Sequence, residues 1–302
     1  MRRGKQAASP AMPGPGHAAP AQPAMFTVRG LSMAGFHRLA VWHWKRSDPS
    51  VPVICVHGLT RQGRDFDFLA RQLTGAGRSV YCPDLVGRGG SDWLRDPQHY
   101  SLLQYTADMN AVLARIGREQ VDWVGTSLGG LIGMLLAAQP GSPIRKLVLN
   151  DVGPYIHTSG LRRIGAYLDS GRRRFGSFGE AEAQVRSVLA PFGALTDEEW
   201  RHITQHSLRS VPDGFELHHD PAIMRTYRQW QYMNVDLWRI WNQIQCPVMA
   251  LRGADSDFLS ATTLDRMACT GPKASTLEIP ACGHAPALTR REQVEPIFAF
   301  LG

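Results

Sequence analysis

The sequence has no long apolar run. Its longest apolar runs, such as residues 131–138, fall far short of the roughly 20 residues with which a helix spans a bilayer. The basic residues at the start of the chain, Arg2, Arg3 and Lys5, are not followed by the apolar segment that a secretory signal needs. The sequence therefore predicts neither a membrane span nor a secretory signal.

Cysteine is also sparse. The chain has five cysteines among 302 residues, widely spaced and without a Cys-x-x-Cys pair. An odd number of scattered cysteines is typical of reduced thiols rather than of a disulfide framework. We therefore expect a cytoplasmic protein.

A third deficit is confined to residues 1–24, which contain no Val, Ile or Leu and consist mainly of Ala, Pro and Gly. Such a segment cannot bury enough apolar surface to offset the entropy lost on ordering, so we predict that it is disordered. Met25 is an alternative start of translation. The segment holds three of the seven net positive charges, and 30 basic and 26 acidic residues remain outside it. This small excess does not favour a nucleic-acid partner.

The rest of the chain alternates between two patterns. Short apolar runs bounded by turn residues are typical of strands buried on both faces, and stretches with helical spacing lie between them. This alternation predicts the α/β class, with a mostly parallel central sheet flanked by helices and antiparallel pairing within residues 28–44. The predicted buried strands are residues 51–56, 79–82, 121–124, 144–149, 247–251 and 275–279, and the predicted helices are residues 66–73, 102–116, 128–138, 264–269 and 294–301.

The alternation stops after Asp151 for about 90 residues, which is too long for a loop. Several stretches there have helical spacing, and one begins Thr196-Asp-Glu-Glu, with the acidic first turn that favours a helix start. We interpret residues 152–243 as a helical cap inserted into a core formed by residues 25–151 and 244–302.

A serine lies between a predicted strand and a predicted helix in the segment Gly125-Thr-Ser127-Leu-Gly129. A sharp turn from strand to helix needs small neighbours, so that the backbone tightens and the hydroxyl projects from the edge of the sheet. The pattern alone is common, but this context makes it specific. Ser127 is therefore the predicted nucleophile.

A nucleophilic serine needs a base that an acid orients. We select His284 among eleven histidines because it follows a predicted strand, at the edge where open α/β sheets bind ligands. The acid is expected between the serine and the histidine in the chain. Asp257 is the expected acid because it leads into apolar residues; Asp255 is the first alternative, and Asp151, just after another predicted strand, is the second.

Attack on an acyl carbon forms an oxyanion, which needs preorganised N–H donors. We expect the backbone N–H of Leu128, directly after the nucleophile, and that of Leu59, in the turn after the first buried strand. His57 is expected to brace this turn. Arg61 and Arg64 follow it and are possible contacts for an anionic substrate.

Histidines four residues apart, His202 and His206, have the spacing of metal ligands on a helix. Ile203 stands where a zinc protease of this pattern has glutamate, so no metal site is predicted.

Five segments together resemble the α/β-hydrolase superfamily, and the match spans about residues 26–302. Within that superfamily the chain is similar to capped bacterial serine hydrolases of the esterase or lactonase type. The resemblance implies an eight-stranded core, a Ser-Asp-His triad and no cofactor. Haloalkane dehalogenases and epoxide hydrolases of this fold use a carboxylate nucleophile, whereas position 127 is serine. The segments are His57-Gly58 and residues 83–92, 125–130, 252–257 and 283–286.

The predicted function is hydrolysis of a small ester or lactone, a small-molecule acyl substrate, through an acyl-enzyme. Three alternatives stay open: acyl transfer or perhydrolysis on the same triad, carbon–carbon bond hydrolysis, and a non-catalytic binding protein of the same fold. Carbon–carbon bond hydrolases commonly carry a Gly-Pro-Gly run after the His-Gly pair, and here Leu59-Thr-Arg-Gln-Gly63 follows it. The sequence predicts neither the substrate itself nor the oligomeric state.

Overall fold

The computed structural model describes residues 22–46, 50–170 and 173–302, without the side chains of residues 167–170. The segment predicted to be disordered, residues 1–24, lies outside this part except for its last three residues. Ala24 already begins the first strand.

A sheet of eight strands, in the order β1-β2-β4-β3-β5-β6-β12-β13, forms the centre of the described chain. β2 is antiparallel to both of its neighbours, and every pairing from β4 to β13 is parallel. This confirms the predicted mostly parallel sheet with an antiparallel start. The strands are β1 Ala24–Ser32, β2 Gly35–Trp44, β3 Val53–Val56, β4 Val80–Pro83, β5 Val121–Thr126, β6 Ile144–Asn150, β7 Tyr155–Ile156, β8 Arg174–Phe175, β9 Leu208–Val211, β10 Gly214–Leu217, β11 Val235–Asp236, β12 Val248–Gly253 and β13 Ser275–Ile279.

Helices cover both faces of this sheet. The α-helices are α1 Asp67–Gly75, α2 Leu102–Ile116, α3 Leu128–Ala137, α4 Thr158–Ser170, α5 Phe178–Val188, α6 Asp197–Ser207, α7 Ile223–Trp230, α8 Trp238–Trp241, α9 Ala261–Cys269 and α10 Arg291–Leu301. Helices α2, α3 and α9 contribute to the apolar core on one face, and α1 and α10 to the core on the other.

The central strands are buried on both sides because successive side chains point to opposite faces. In β3, Ile54 and Val56 belong to one core, whereas Val53 and Cys55 belong to the other. A strand in this position has no wet face, which explains the continuous apolar runs in the sequence. All six of these runs are strands, with ends that differ by at most two residues. β13 is the exception to the predicted burial, because it lies at the edge of the sheet and is mostly exposed.

The chain between β6 and β12 contains α4 to α8 together with five short strands. β8, β10 and β9 form a small sheet, and β11 pairs with β7. The expected cap is therefore not purely helical. The sequence did not predict these strands, because segments of two to four residues are too short to show the alternation of a strand. α6 is capped by Thr196, as the predicted helix start implies: the Thr196 hydroxyl accepts from the Glu199 N–H, and the Glu199 carboxylate accepts from the Thr196 N–H.

Among the helices of the described residues, none has the length and apolar character needed to cross a membrane.

Candidate functional site

Ser127 lies at the turn between β5 and α3 with φ 51° and ψ −114°, an unfavourable backbone conformation for a residue with a Cβ. Its N–H donates to the Asn150 carbonyl oxygen over 3.0 Å, which fixes the turn to β6. A Cβ on Gly129 would lie 2.0 Å from the Val56 carbonyl oxygen, and one on Gly125 would lie 2.4 Å from the backbone of residue 129. Glycine at both positions therefore allows α3 to start against the strands and leaves the serine at the edge of the sheet.

His284, in the loop after β13, contacts Ser127. The Nε2 atom is 2.9 Å from Ser127 Oγ, and the Nδ1 atom is 2.7 Å from Asp151 Oδ2. The Phe258 ring stacks on the imidazole at a centroid distance of 4.1 Å and restricts its rotation. When Nδ1–H donates to the carboxylate, Nε2 carries the lone pair that can accept the serine proton.

Asp151 directly follows β6 and is fully buried. Its Oδ1 accepts from the Gly253 N–H over 2.8 Å, and its Oδ2 accepts from Ser256 Oγ over 2.6 Å in addition to His284. Donors on both oxygens stabilise the ionised carboxylate inside the protein and set its orientation toward the imidazole.

Asp257, the acid expected from the sequence, does not occupy this position. Its side chain is 49% exposed and accepts a hydrogen bond from Arg163 Nε. Asp255, the first alternative, is also exposed, and its N–H donates to the Cys282 carbonyl oxygen in a turn. The carboxylate at His284 belongs instead to Asp151.

The path of the loop after β12 explains this correction. β6 and β12 are neighbouring parallel strands, so residues that follow either one arrive at the same edge. The loop after β12 turns so that Ser256, and not the aspartate on either side of it, is directed to the buried carboxylate of Asp151. Short-range sequence patterns do not reveal that turn.

The two expected oxyanion donors lie beside the serine. Leu128 is the first residue of α3, where the N–H has no acceptor within the helix. Leu59 lies in the turn after β3, and both leucines line a cavity that contains Ser127.

The buried side chains of His57 and Arg88 brace the turn that holds Leu59. His57 Nδ1–H donates to the Gly58 carbonyl oxygen over 2.7 Å, and its Nε2 accepts from the Leu85 N–H over 2.9 Å. Burial lowers the pKa of His57 to about 3, so the imidazole is neutral and suited to this bracing role.

Arg88, which sequence reasoning missed, donates from Nε to the Leu59 carbonyl oxygen over 2.7 Å while its side chain is fully buried. Its Nη1 also donates to the Val86 carbonyl oxygen and to Tyr105 Oη. Arginine in a Gly-rich stretch reads as a surface residue, so the sequence contains no signal for this contact.

Arg61 and Arg64 have neighbouring carboxylates as partners. Arg61 lines a cavity beside Ser127, but its guanidinium donates to both oxygens of Asp65 and to Ser207 Oγ. Arg64 is held by Asp67 and is not among the described residues that line either cavity at Ser127. Both guanidinium groups are thus paired within the protein, and of the two only Arg61 lines a cavity at Ser127, so its contact with a substrate stays a prediction.

Asp67, His202 and His206 place one potential metal-ligating atom each within 4.8 Å of one another. The Asp67 carboxylate, however, accepts two hydrogen bonds from Arg64 of 2.8 and 2.7 Å. His202 Nε2–H donates to the Arg64 carbonyl oxygen over 3.0 Å. This carboxylate is thus already paired with the guanidinium of Arg64, and that of Arg71 lies 3.9 Å away.

Two cavities meet at Ser127. The larger holds about 640 Å³ of empty space, part of it open to solvent, and is mostly apolar. The smaller holds about 520 Å³ and also contains His284 and Arg163. The chain between β6 and β12 covers the larger cavity with Ile156, Leu161, Ile164, Ile223, Tyr227 and Trp230.

The chain is similar to known hydrolases over most of its length. A 3-hydroxybutyrate-oligomer hydrolase of Cupriavidus necator is 44% identical over 285 residues, which cover 91% of this chain and 96% of the relative. An esterase of Mycobacterium tuberculosis is 27% identical over 227 residues, covering 74% and 72% of the two chains.

A solved structure has the same fold. The alpha/beta hydrolase from Novosphingobium aromaticivorans superposes with a TM-score of 0.82 at 34% identity, and the match covers 93% of this chain and 98% of that one. The model of the alpha/beta hydrolase family matches residues 53–297, which is most of the chain. The chain is therefore an enzyme of the alpha/beta hydrolase family.

Proposed function

We propose that this enzyme hydrolyses short linear esters of small hydroxy acids through an acyl-enzyme on Ser127, with oligomers of 3-hydroxybutyrate as the first candidates. The observation that carries the proposal is the hydrogen-bonded chain Ser127, His284 and Asp151 at the junction of two cavities. The substrate named for the relative from Cupriavidus necator supports the ester class.

In the first step, Ser127 Oγ attacks the ester carbonyl carbon while His284 Nε2 accepts the hydroxyl proton. The distance of 2.9 Å between these atoms suits direct proton transfer. Asp151 holds the imidazole through Nδ1–H and stabilises the positive charge that the ring acquires.

The developing oxyanion is stabilised by the N–H groups of Leu59 and Leu128. Arg88 and His57 keep the Leu59 turn in place before substrate arrives, so little reorganisation accompanies the reaction. His284 then returns its proton to the leaving alkoxide. A water molecule that gives its proton to the same nitrogen hydrolyses the acyl-enzyme and releases the acid.

Labelling with a fluorophosphonate probe tests the nucleophile. We expect one equivalent of probe on the wild-type protein, located at Ser127 by mass spectrometry, and none on Ser127→Ala. Labelling of Ser127→Ala to the same extent, or no labelling of folded wild-type protein, would contradict the proposed nucleophile.

Turnover tests the substrate class. We expect the linear 3-hydroxybutyrate dimer to be converted to monomer faster than β-butyrolactone, measured by liquid chromatography. Added methanol separates hydrolysis from acyl transfer, because transfer would yield the methyl ester in place of free acid. Preference for the lactone, or methyl ester as the main product, would overturn this assignment.

We also propose a reducing compartment, the cytoplasm. The support is the cysteine pattern of the sequence, five scattered cysteines without a Cys-x-x-Cys pair. An odd number of scattered cysteines is typical of reducing conditions.

A further inference from the structure

The two cavities at Ser127 differ in which part of the site they contain. Among the described residues, Leu128 lines the larger cavity and does not line the smaller one. His284 lines the smaller cavity and not the larger one. Ser127, Leu59 and Ile164 line both cavities, so a substrate bound across the serine has one half in each.

This division distinguishes the two halves of the ester. The leaving alkoxide takes its proton from His284, so it must lie on the side of the imidazole when the bond breaks. The acyl carbonyl must reach both oxyanion donors, and Leu128, the donor that lines only one of the two cavities, lines the larger one. The smaller cavity therefore receives the alcohol half, and the apolar larger cavity receives the acyl half.

A cation with an unused donor stands in the smaller cavity. Arg163, on α4, lines it together with Ser127 and His284. Its Nε donates to the exposed carboxylate of Asp257, whereas its Nη2 is buried and has no hydrogen-bond partner among the described residues. The Arg163 side chain is 35% exposed as a whole, but this nitrogen is buried, and a buried N–H without an acceptor is costly unless a ligand supplies one.

The second arginine of the same cavity has a partner for each of its three guanidinium nitrogens. Arg61 donates from Nε and Nη2 to Asp65 and from Nη1 to Ser207 Oγ. The cavity thus combines the proton donor for the leaving group with one guanidinium, that of Arg163, in which one nitrogen has no partner among the described residues.

We propose that the smaller cavity is the subsite of the leaving hydroxy acid and that the guanidinium of Arg163 binds its carboxylate. The inference rests on the proposed function. When a linear hydroxy-acid dimer is cut, the bond from Ser127 Oγ to the acyl carbon forms and the ester C–O bond breaks. The serine proton passes through His284 to the leaving oxygen, and the leaving unit keeps its free, charged carboxylate.

This arrangement makes the enzyme selective for the ester bond next to the free carboxyl end of an oligomer. A guanidinium and a carboxylate form a charge-assisted hydrogen bond that a neutral ester cannot form. The carboxylate of the leaving acid also lies near the carboxylate of Asp257. The Asp257 side chain is half exposed to water, which screens the repulsion between the two negative charges. Chain length beyond the dimer adds acyl units in the larger cavity and leaves this contact unchanged.

The test compares two substrates that share the same ester bond, the linear 3-hydroxybutyrate dimer and its methyl ester, in which the carboxylate is masked. For Arg163→Gln we expect KM for the free dimer to rise about 10- to 100-fold, the range for loss of one charged hydrogen bond. We expect kcat/KM for the methyl ester to change less than about threefold, which also shows that the variant is folded.

Arg162→Gln is the matched control, because Arg162 is the exposed neighbour on the same helix and donates to the Gln231 carbonyl oxygen. It should leave both substrates unaffected. Equal losses on both substrates in Arg163→Gln, no loss on either, or the same loss in Arg162→Gln would overturn the subsite. If wild-type protein hydrolyses neither ester, the proposed substrate class fails and the subsite fails with it. Turnover of both esters by the wild type leaves only the subsite in question.

Discussion

The carboxylate of Asp151, the acid of the proposed triad, accepts hydrogen bonds from three donors. The Gly253 N–H holds it from the end of β12, the Ser256 hydroxyl from the loop after β12, and His284 Nδ1–H from the loop after β13. An amide in its place keeps the shape but offers an NH₂ group to these donors. The imidazole then adopts the wrong tautomer or orientation, and Nε2 no longer accepts the serine proton.

We therefore expect Asp151→Asn to lower kcat on a neutral chromogenic acetate ester by about 10³- to 10⁴-fold. Asp257→Asn should stay within about threefold of wild type, because that carboxylate is half exposed and pairs only with Arg163 in the described structure. Steady-state kinetics of the two variants, with Asp255→Asn as a second control, make the comparison. A loss in Asp257→Asn as large as in Asp151→Asn would restore the acid expected from the sequence.

The residues of the candidate site were predictable to different degrees. Ser127 and His284 could be predicted from local patterns in the sequence. The serine is flanked by glycines and follows a predicted strand, and the histidine follows the last predicted strand. The acid depends on which of two neighbouring loops reaches the imidazole. Asp151 directly follows a buried strand, which is the pattern expected of the acid, but Asp257 lies in the loop after another buried strand and shows a similar pattern. The two residues are distinguished only by the turn at Ser256, which the sequence does not reveal.

The turn from β5 to α3 shows how an element positions the site. The helix starts where its backbone lies against β3, and a side chain at Gly129 would meet the Val56 carbonyl oxygen at 2.0 Å. Neither the added Cβ nor the backbone oxygen can rotate away from this contact, as the end of a long side chain could. Relief requires the helix and the serine to move away from the sheet.

Gly129→Ala should therefore lower the free energy of unfolding by about 1–3 kcal/mol or more and reduce esterase kcat at least about 100-fold. Gly179→Ala is the matched control, since a Cβ there meets nothing within 4 Å and residue 179 lies in α5. Its stability should rise by up to about 1 kcal/mol through helix propensity. Urea unfolding and activity measure both effects. A Gly129→Ala protein as stable and active as wild type would refute this account of the turn.

Elements with a strong period were readable from the sequence, and short ones were not. α2 has the predicted bounds because its apolar spacing runs through four turns and Ser101 caps its first turn. β7 and β8 have two residues each, too few to show alternation, and their pairing depends on contacts distant in the chain. The general architecture of the insertion was therefore predictable, but its small sheets were not.

At the scale of the whole molecule, burial of neutral histidines links stability to pH. Burial lowers the pKa of His57 and His206 to about 3, and that of His219 well below the ordinary 6.5. Burial also lowers the pKa of His43 and His218. Below pH 6.5 the unfolded chain binds protons at these positions and the folded chain does not. The stability that they contribute is complete above pH 6.5 and is lost as pH falls toward 3.

Two groups act in the opposite direction. Burial raises the pKa of Asp84 to about 6, so its contribution is complete below about pH 4 and disappears as pH rises through 6. Burial alone would lower the pKa of His37, but the hydrogen bond and charge of Asp108 raise it, so its contribution is lost at rising pH. The histidines with lowered pKa outnumber these two groups in the described part of the chain.

We therefore expect the free energy of unfolding to fall between pH 7.5 and pH 5 by about 2–4 kcal/mol, of which His57 alone contributes about 2. Urea unfolding at the two pH values measures this difference.

Falling pH also raises the net charge of the protein above +7, and repulsion between the added charges would itself destabilise the fold. Salt at about 0.5 M screens this repulsion strongly. A difference caused by the buried histidines must therefore persist in about 0.5 M NaCl. His206→Gln should reduce the difference, and His157→Gln, at an exposed position, should not. Equal or greater stability at pH 5, or a difference that disappears in salt, would show that buried histidines do not govern the acid sensitivity of this protein.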